Sequence, residues 1–222
     1  MAISTVQDCY KYVQEALNKL NSDASQNVPK TTFVTTFNAV QMQWVEDRVK
    51  VGELNKVRTD EIQQLATDVE LSVKKEDLYY YTELPDNYYH IIRPYASIGG
   101  CTLNIWPAKE GDVNVLLDDA FWTPSKEWGE TFYTLVGNKL RVYHNNQFNL
   151  NKVNLVYFRY PISINMADGY EDVNGTPTTD IDPEFKGSSL IEILNLTVQH
   201  LAGSVNDQMR FQVFGNKSQT HT

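Results

Sequence analysis

The stretch DDAFWTPSKEWGE, Asp118–Glu130, holds the residue types best suited to chemistry. It sets Asp118, Asp119, Glu127 and Glu130 beside Trp122 and Trp128. Glycoside cleavage needs two carboxyl groups across the scissile bond, one to protonate the leaving oxygen and one to attack or to activate water. Indole faces stack on sugar rings, so the same stretch also fits a non-catalytic sugar-binding surface. Spacing along the chain does not set the distance between carboxyl groups, and loops mixing acids with aromatics are common.

Other chemistries find less. YEDVNGTPTTDI places Asp172, Asn174 and Gly175 at calcium-loop spacing, but Tyr170 and Ile181 occupy the first and last ligand positions. Both key carboxylates are therefore missing. The two cysteines and the histidines at 90, 144, 200 and 221 show no zinc-ligand spacing. A nucleophilic thiolate needs exposure and an activating neighbour. Cys9 falls on a helix stripe, and Cys101 opens a strand with no identifiable base; both are expected to be buried thiols. No phosphate-binding glycine loop and no nucleophile elbow occurs. The reading is a chain without catalytic residues, cofactor or metal.

The elements that would position these residues follow from periodicity. The chain has 222 residues, enough for one large domain or two small ones. Val6, Cys9, Val13, Leu17 and Leu20 recur at three and four, which predicts a helix over 4–21 with a capping box at Ser4 and Gln7. Phe33, Phe37, Val40, Trp44 and Val45 predict a second helix from Thr31 or Thr32, and EDRVKVGELNKVRTDEIQQLAT continues helically with mixed charge, with room for a kink or break at Gly52. From Val69 to Ile164 the period becomes two. TFYTLVGNKLRVYH reads as a hairpin about Gly137-Asn138, DVNVLLDD as a short strand, and LVYFRYPISIN as a long one. In that last strand Val156, Phe158, Tyr160, Ile162 and Ile164 are expected to face the core. Leu155, Tyr157 and Arg159 form the amphipathic face. Residues 166–186 make a loop with six acids, and Leu190, Ile191, Leu194, Val198 and Leu201 predict a closing helix over 188–209.

The expected fold is α+β: a helical bundle from the N- and C-terminal helices with a central antiparallel β-sandwich or small barrel. The helical part takes residues 1–68 and 187–212, the β part 69–165, the acidic loop 166–186 and a tail 213–222. Net charge is −9, which disfavours tight nucleic-acid binding by counterion release. MAISTVQDCYKYV turns polar at once, and no apolar run reaches membrane-spanning length. Synthesis in the cytoplasm and no membrane association are expected.

The order of parts resembles the head-to-tail adaptor, or ring, proteins of podovirus-type bacteriophages, with phrasing similar to ring proteins of crAss-like phages. The resemblance rests on FVTTFNAVQMQWVEDRVK, on TELPDNYYHI at the start of the β part, on LVYFRYPISI, and on SSLIEILNLTVQHLAGSVNDQMRFQ. The long loop and the aromatic β block depart from the pattern. The resemblance implies a structural virion protein of the tail or neck: a homo-oligomeric ring, commonly of twelve copies, below the portal protein. Such a ring docks other tail proteins and continues a channel through which DNA passes without sequence-specific binding. A ring closes by heterologous contacts. Interface candidates are Tyr157 and Arg159, Trp122 and Trp128, and Arg48 on the mixed-charge helix. Asp168, Glu171 and Asp172 are candidates for lining the channel. The competing expectation is a carbohydrate-binding or glycan-acting β-sandwich module of a host-recognition protein.

Overall fold

The computed structural model describes residues 3–18, 28–55, 60–167 and 179–204. The fold is α+β, and the chain divides into two compact units. One takes residues 1–62 and 161–222, from both ends of the chain; the other is the continuous stretch 63–160.

The helical unit contains α1 (Val6–Asn18), α2 (Lys30–Asn55) and, near the other end of the chain, α4 (Gly187–Ser204). Helix α1 buries Val6, Cys9, Val13 and Leu17, the predicted stripe. Its cap is Thr5 rather than Ser4: the Thr5 hydroxyl accepts from the Asp8 amide at 3.1 Å. Helix α2 buries Phe33, Phe37, Val40, Trp44 and Val45 and runs on through Gly52. Rings pack in sequence: Phe33 lies 5.4 Å from Tyr10 and 5.9 Å from Phe37, and Trp44 meets Phe185 edge-on at 5.1 Å. Helix α4 contacts both α1 and α2, burying Leu190, Ile193, Leu194 and Val198, while Ile191 faces out.

The second unit is a single eight-stranded curled sheet. Its strands are β1 (Ala66–Ser72), β2 (Lys74–Lys75), β3 (Tyr79–Glu83), β4 (Tyr88–Ile98) and β5 (Cys101–Pro107). They are followed by β6 (Glu130–Val136), β7 (Lys139–Tyr143) and β8 (Lys152–Arg159). The spatial order is β1-β8-β4-β5-β6-β7-β3-β2. Strands β1 and β2 thus lie at opposite ends of the sheet, yet only Val73 separates them in sequence. A sheet whose two ends share one bent strand has to curl. All pairs are antiparallel except β5–β6. Two hairpins show their turn chemistry directly: Gly99 and Gly100 both have positive φ, and Gly137 has φ 60° ahead of Asn138.

Alternation sends the two faces of the sheet to two cores. Tyr80, Ile105, Tyr133, Val142, Val153, Leu155 and Tyr157 join the larger one. Tyr79, Trp106, Phe132 and Tyr143, each one residue off, join a smaller core on the other face. The connection between the parallel strands β5 and β6 covers that second face, as a parallel pair requires a crossover. It contains α3 (Val113–Asp118), where a strand was expected. Val113, Leu116 and Leu117 fall at i, i+3 and i+4 and reach the smaller core together, which only helical spacing allows.

The expectation for LVYFRYPISIN is corrected twice. Within β8 the core face is Val153, Leu155 and Tyr157, the reverse of the predicted assignment; Val156 is only half-buried and Tyr160 and Ile162 are exposed, while Ile164 is buried as expected. Phe158 is also buried, so β8 is covered on both faces and alternation alone could not orient it. The strand also ends at Arg159. Pro161 cannot donate to a ladder, and the chain instead runs extended along α2. There Asn38 acts as a short strand edge: its amide donates to the Ile164 carbonyl at 3.1 Å, and its oxygen accepts from the Ile164 amide at 2.9 Å. Gln41 donates to the Ile162 carbonyl at 3.0 Å.

Candidate protein-contact surface

The crossover between β5 and β6 carries Trp122 and Trp128, and with them Phe121. Trp106 on β5 anchors the group, lying 5.7 Å edge-on to Trp122 and 5.4 Å from Phe132 beneath. Phe121 and Trp128 stack at 6.5 Å with 23° between planes. The rings are held by the backbone under them. The Asp119 carboxylate accepts from the Phe121 amide at 2.7 Å, and its carbonyl accepts from the Thr123 amide at 3.0 Å. Ser125 and Glu130 exchange both backbone hydrogen bonds, and the Ser125 hydroxyl accepts from the Trp128 amide at 3.3 Å. Gly129, at φ +66°, lets the loop approach β5: its carbonyl accepts from Asn104 at 2.7 Å, and a Cβ there would stand 3.3 Å from the Thr102 carbonyl.

Despite these restraints Phe121 is 76 % exposed, Trp122 56 % and Trp128 55 %. Over 108–130 the chain holds six acids and two lysines, so the rings sit in an acidic stretch. Such a platform offers stacking and apolar burial, with selectivity for positive charge. The four carboxylates proposed for glycoside chemistry divide: Asp119 is engaged in the turn, and Glu130 opens β6 with its backbone paired to Ser125.

The other candidates are placed differently. Tyr157 is only 3 % exposed, inside the larger core, with its hydroxyl donating to the Asn87 side chain at 2.8 Å. Arg159 is half-buried at the end of β8 and donates to the Tyr160 carbonyl at 3.1 Å. Arg48 is buried within the helical unit. It donates through Nη2 to both oxygens of Glu192 at 2.8 Å and through Nε to Glu61, and its guanidinium lies 4.8 Å from the Trp44 ring centre. Asp168, Glu171 and Asp172, and residues 170–178 of the stretch with calcium-loop spacing, lie outside the described residues.

The described acids of the long loop have structural duties that sequence reading missed. Asp182 accepts from the Val6 amide at 2.8 Å, at the N-terminus of α1. Asp180 accepts from the Ala167 amide at 2.6 Å and from the Gln7 side chain, and these bonds hold its carboxyl below the usual range. Glu184 accepts from the Ile162 amide at 3.1 Å. The available signal was a helix start with no acid before Asp8.

Two of the stretches that carry the resemblance meet in space. Asn87, from TELPDNYYHI, receives the Tyr157 hydroxyl on its side chain and the Tyr160 amide on its carbonyl at 2.9 Å, both from LVYFRYPISI. Tyr88 and Tyr89 face Tyr157 and Tyr160 at ring distances of 6.1 and 5.2 Å.

Cys9 is buried, and burial, with Asp8 and Asp182 nearby, pushes its thiol up to about 12. Cys101 is exposed, contrary to expectation, on the hairpin beside Gly100. Among the described residues no three His, Cys, Asp or Glu side chains are grouped to hold a metal ion. No described helix is long and apolar enough to cross a membrane. No protein-family model matches the chain, and comparison with curated proteins finds no match.

Proposed function

We propose that this chain is a non-enzymatic structural subunit of a homo-oligomeric ring in the head-to-tail connector of a tailed bacteriophage. The ring sits below a portal protein, holds the next tail component, and encloses a channel through which DNA passes without sequence-specific binding. The order of its sequence motifs supports the reading. The observation that carries it is the aromatic surface: three large rings are kept largely in water by a hydrogen-bonded loop. Apolar surface held out in this way fits a protein contact, where Trp is a preferred anchor.

Electron microscopy of virions, with mass photometry of the purified chain, tests the proposal. The expected result is a closed ring at the neck, and particles carrying Trp122→Ala with Trp128→Ala that lack the next tail component. A solitary globule in every particle would end it. The same exposed indoles beside carboxylates favour a second reading, a glycan-binding module. Saturable binding to a glycan array, lost in Trp122→Ala, would select that reading.

A further inference from the structure

The two ends of the curled sheet are guarded unequally. Strand β2 is two residues long, both lysine, with the ammonium groups of Lys74 and Lys75 near the Tyr81 and Tyr80 rings at 5.9 and 6.0 Å. Short length and lysine are the usual protections of an edge. Strand β1, at the other end, has neither. It runs seven residues, ATDVELS, without proline, glycine, lysine or arginine, and pairs with β8 in unbroken register from Ala66–Phe158 to Ser72–Lys152. Among the described residues, the backbone of Thr67–Ser72 makes no hydrogen bond except to β8. Among the described residues, the donors and acceptors on its other side are unpaired.

The side chains of β1 specify what could pair there. Val69 and Leu71 lie against the larger core but stay half-buried. Asp68 and Glu70 project from the opposite face, exposed, next to the Tyr95 hydroxyl and the Lys152 ammonium. A second copy is a poor partner for β1. Each antiparallel register that pairs five or more residues of two β1 strands and keeps Val69 and Leu71 on the inner face sets Asp68 or Glu70 of one strand opposite an acid of the other, and like charges directly opposed are unfavourable.

We propose that β1 is an acceptor edge for strand addition by a different polypeptide: an extended segment with apolar residues on its inner face and Lys or Arg opposite Asp68 and Glu70. Main-chain hydrogen bonds hold the segment, and the alternating side chains select it. The added strand completes the cover over Val69 and Leu71. The inference concerns the sheet alone and does not depend on the ring reading.

The test uses the full chain and the synthetic peptide acetyl-TVKVRVT-amide, with acetyl-TVEVEVT-amide as control, read by hydrogen exchange resolved to residues 66–72. At about ten times the dissociation constant of the basic peptide, exchange of the outer amides of β1 is expected to slow about tenfold. The acidic peptide is expected to leave it unchanged. The paired substitution Asp68→Lys with Glu70→Lys, at exposed positions, is expected to reverse the preference. Equal protection by both peptides, protection located elsewhere, no protection, or protection that grows with protein concentration alone would each overturn the proposal. None of these results bears on whether virions contain a ring of this chain.

Discussion

Replacing Arg48 by alanine should unfold the helical unit more readily than any change on its surface. The side chain of Arg48 is 10 % exposed and that of Glu192 13 %, with two hydrogen bonds of 2.8 Å between them, while Glu61 is 43 % exposed. Removing the guanidinium leaves Glu192 charged and largely shut off from water, a loss of about 3–5 kcal/mol for a buried pair broken on one side. The contact with Glu61 adds little, about 0.5 kcal/mol, because that carboxylate is solvated. Contact with the Trp44 face adds about 1 kcal/mol. The uncompensated Glu192 therefore dominates, and Arg48→Ala should cost about 5 kcal/mol. Glu61→Gln should cost less than about 1 kcal/mol. Arg48→Met with Glu192→Leu, which removes both charges, should regain most of the loss. Urea denaturation followed by far-ultraviolet circular dichroism of the helices measures each midpoint. A cost for Arg48→Ala no greater than that of Glu61→Gln, or a double variant as unstable as the single one, would refute the reasoning.

Further expectations follow from other sites. His144 is fully buried; its Nδ1 accepts from the Asn146 amide at 2.9 Å, so its Nε2 carries the proton toward the Glu76 carbonyl at 3.2 Å. Desolvation, with Lys75 nearby, lowers its pKa from 6.5. Its contribution is therefore full above about pH 6.5 and is lost as pH falls through the lower folded value. Urea midpoints at pH 7.5, 6 and 5 should decline in the parent chain and decline less in His144→Gln. Asn38→Ala removes both hydrogen bonds to Ile164 and should cost about 1–3 kcal/mol in the same assay, with unchanged urea dependence. A thiol reagent at pH 8 should label Cys101 alone in the folded chain and Cys9 only in urea.

Helix α1 was legible because it buries a single stripe, Val6, Cys9, Val13 and Leu17, whose spacing has one physical meaning. The Gly137-Asn138 hairpin was legible because its turn chemistry is local. Strand β8 was not. It carries apolar residues on both sides, and its orientation is set by β1 and β4, which lie far away in sequence. Helix α3 was read as a strand because six residues are too few to separate period two from period 3.6, and its need to cover Phe132 and Tyr143 comes from the parallel pairing of β5 and β6. Of the site residues, Trp122 and Trp128 could be picked by type alone. The roles of Tyr157 and Arg48 could not, since Asn87 and Glu192 stand 70 and 144 positions away.

The helical unit draws its parts from both ends of the chain, with the whole sheet inserted between them. On a translating ribosome the sheet emerges complete while α1 and α2 still await α4, the helix that covers them both. Vectorial synthesis ordinarily lets the N-terminal part mature first. Here the middle matures first. The greasy flanks of the two leading helices stay open for the time it takes to make about 150 further residues, about 7–30 s. That interval is when a nascent chain of this design most needs a chaperone.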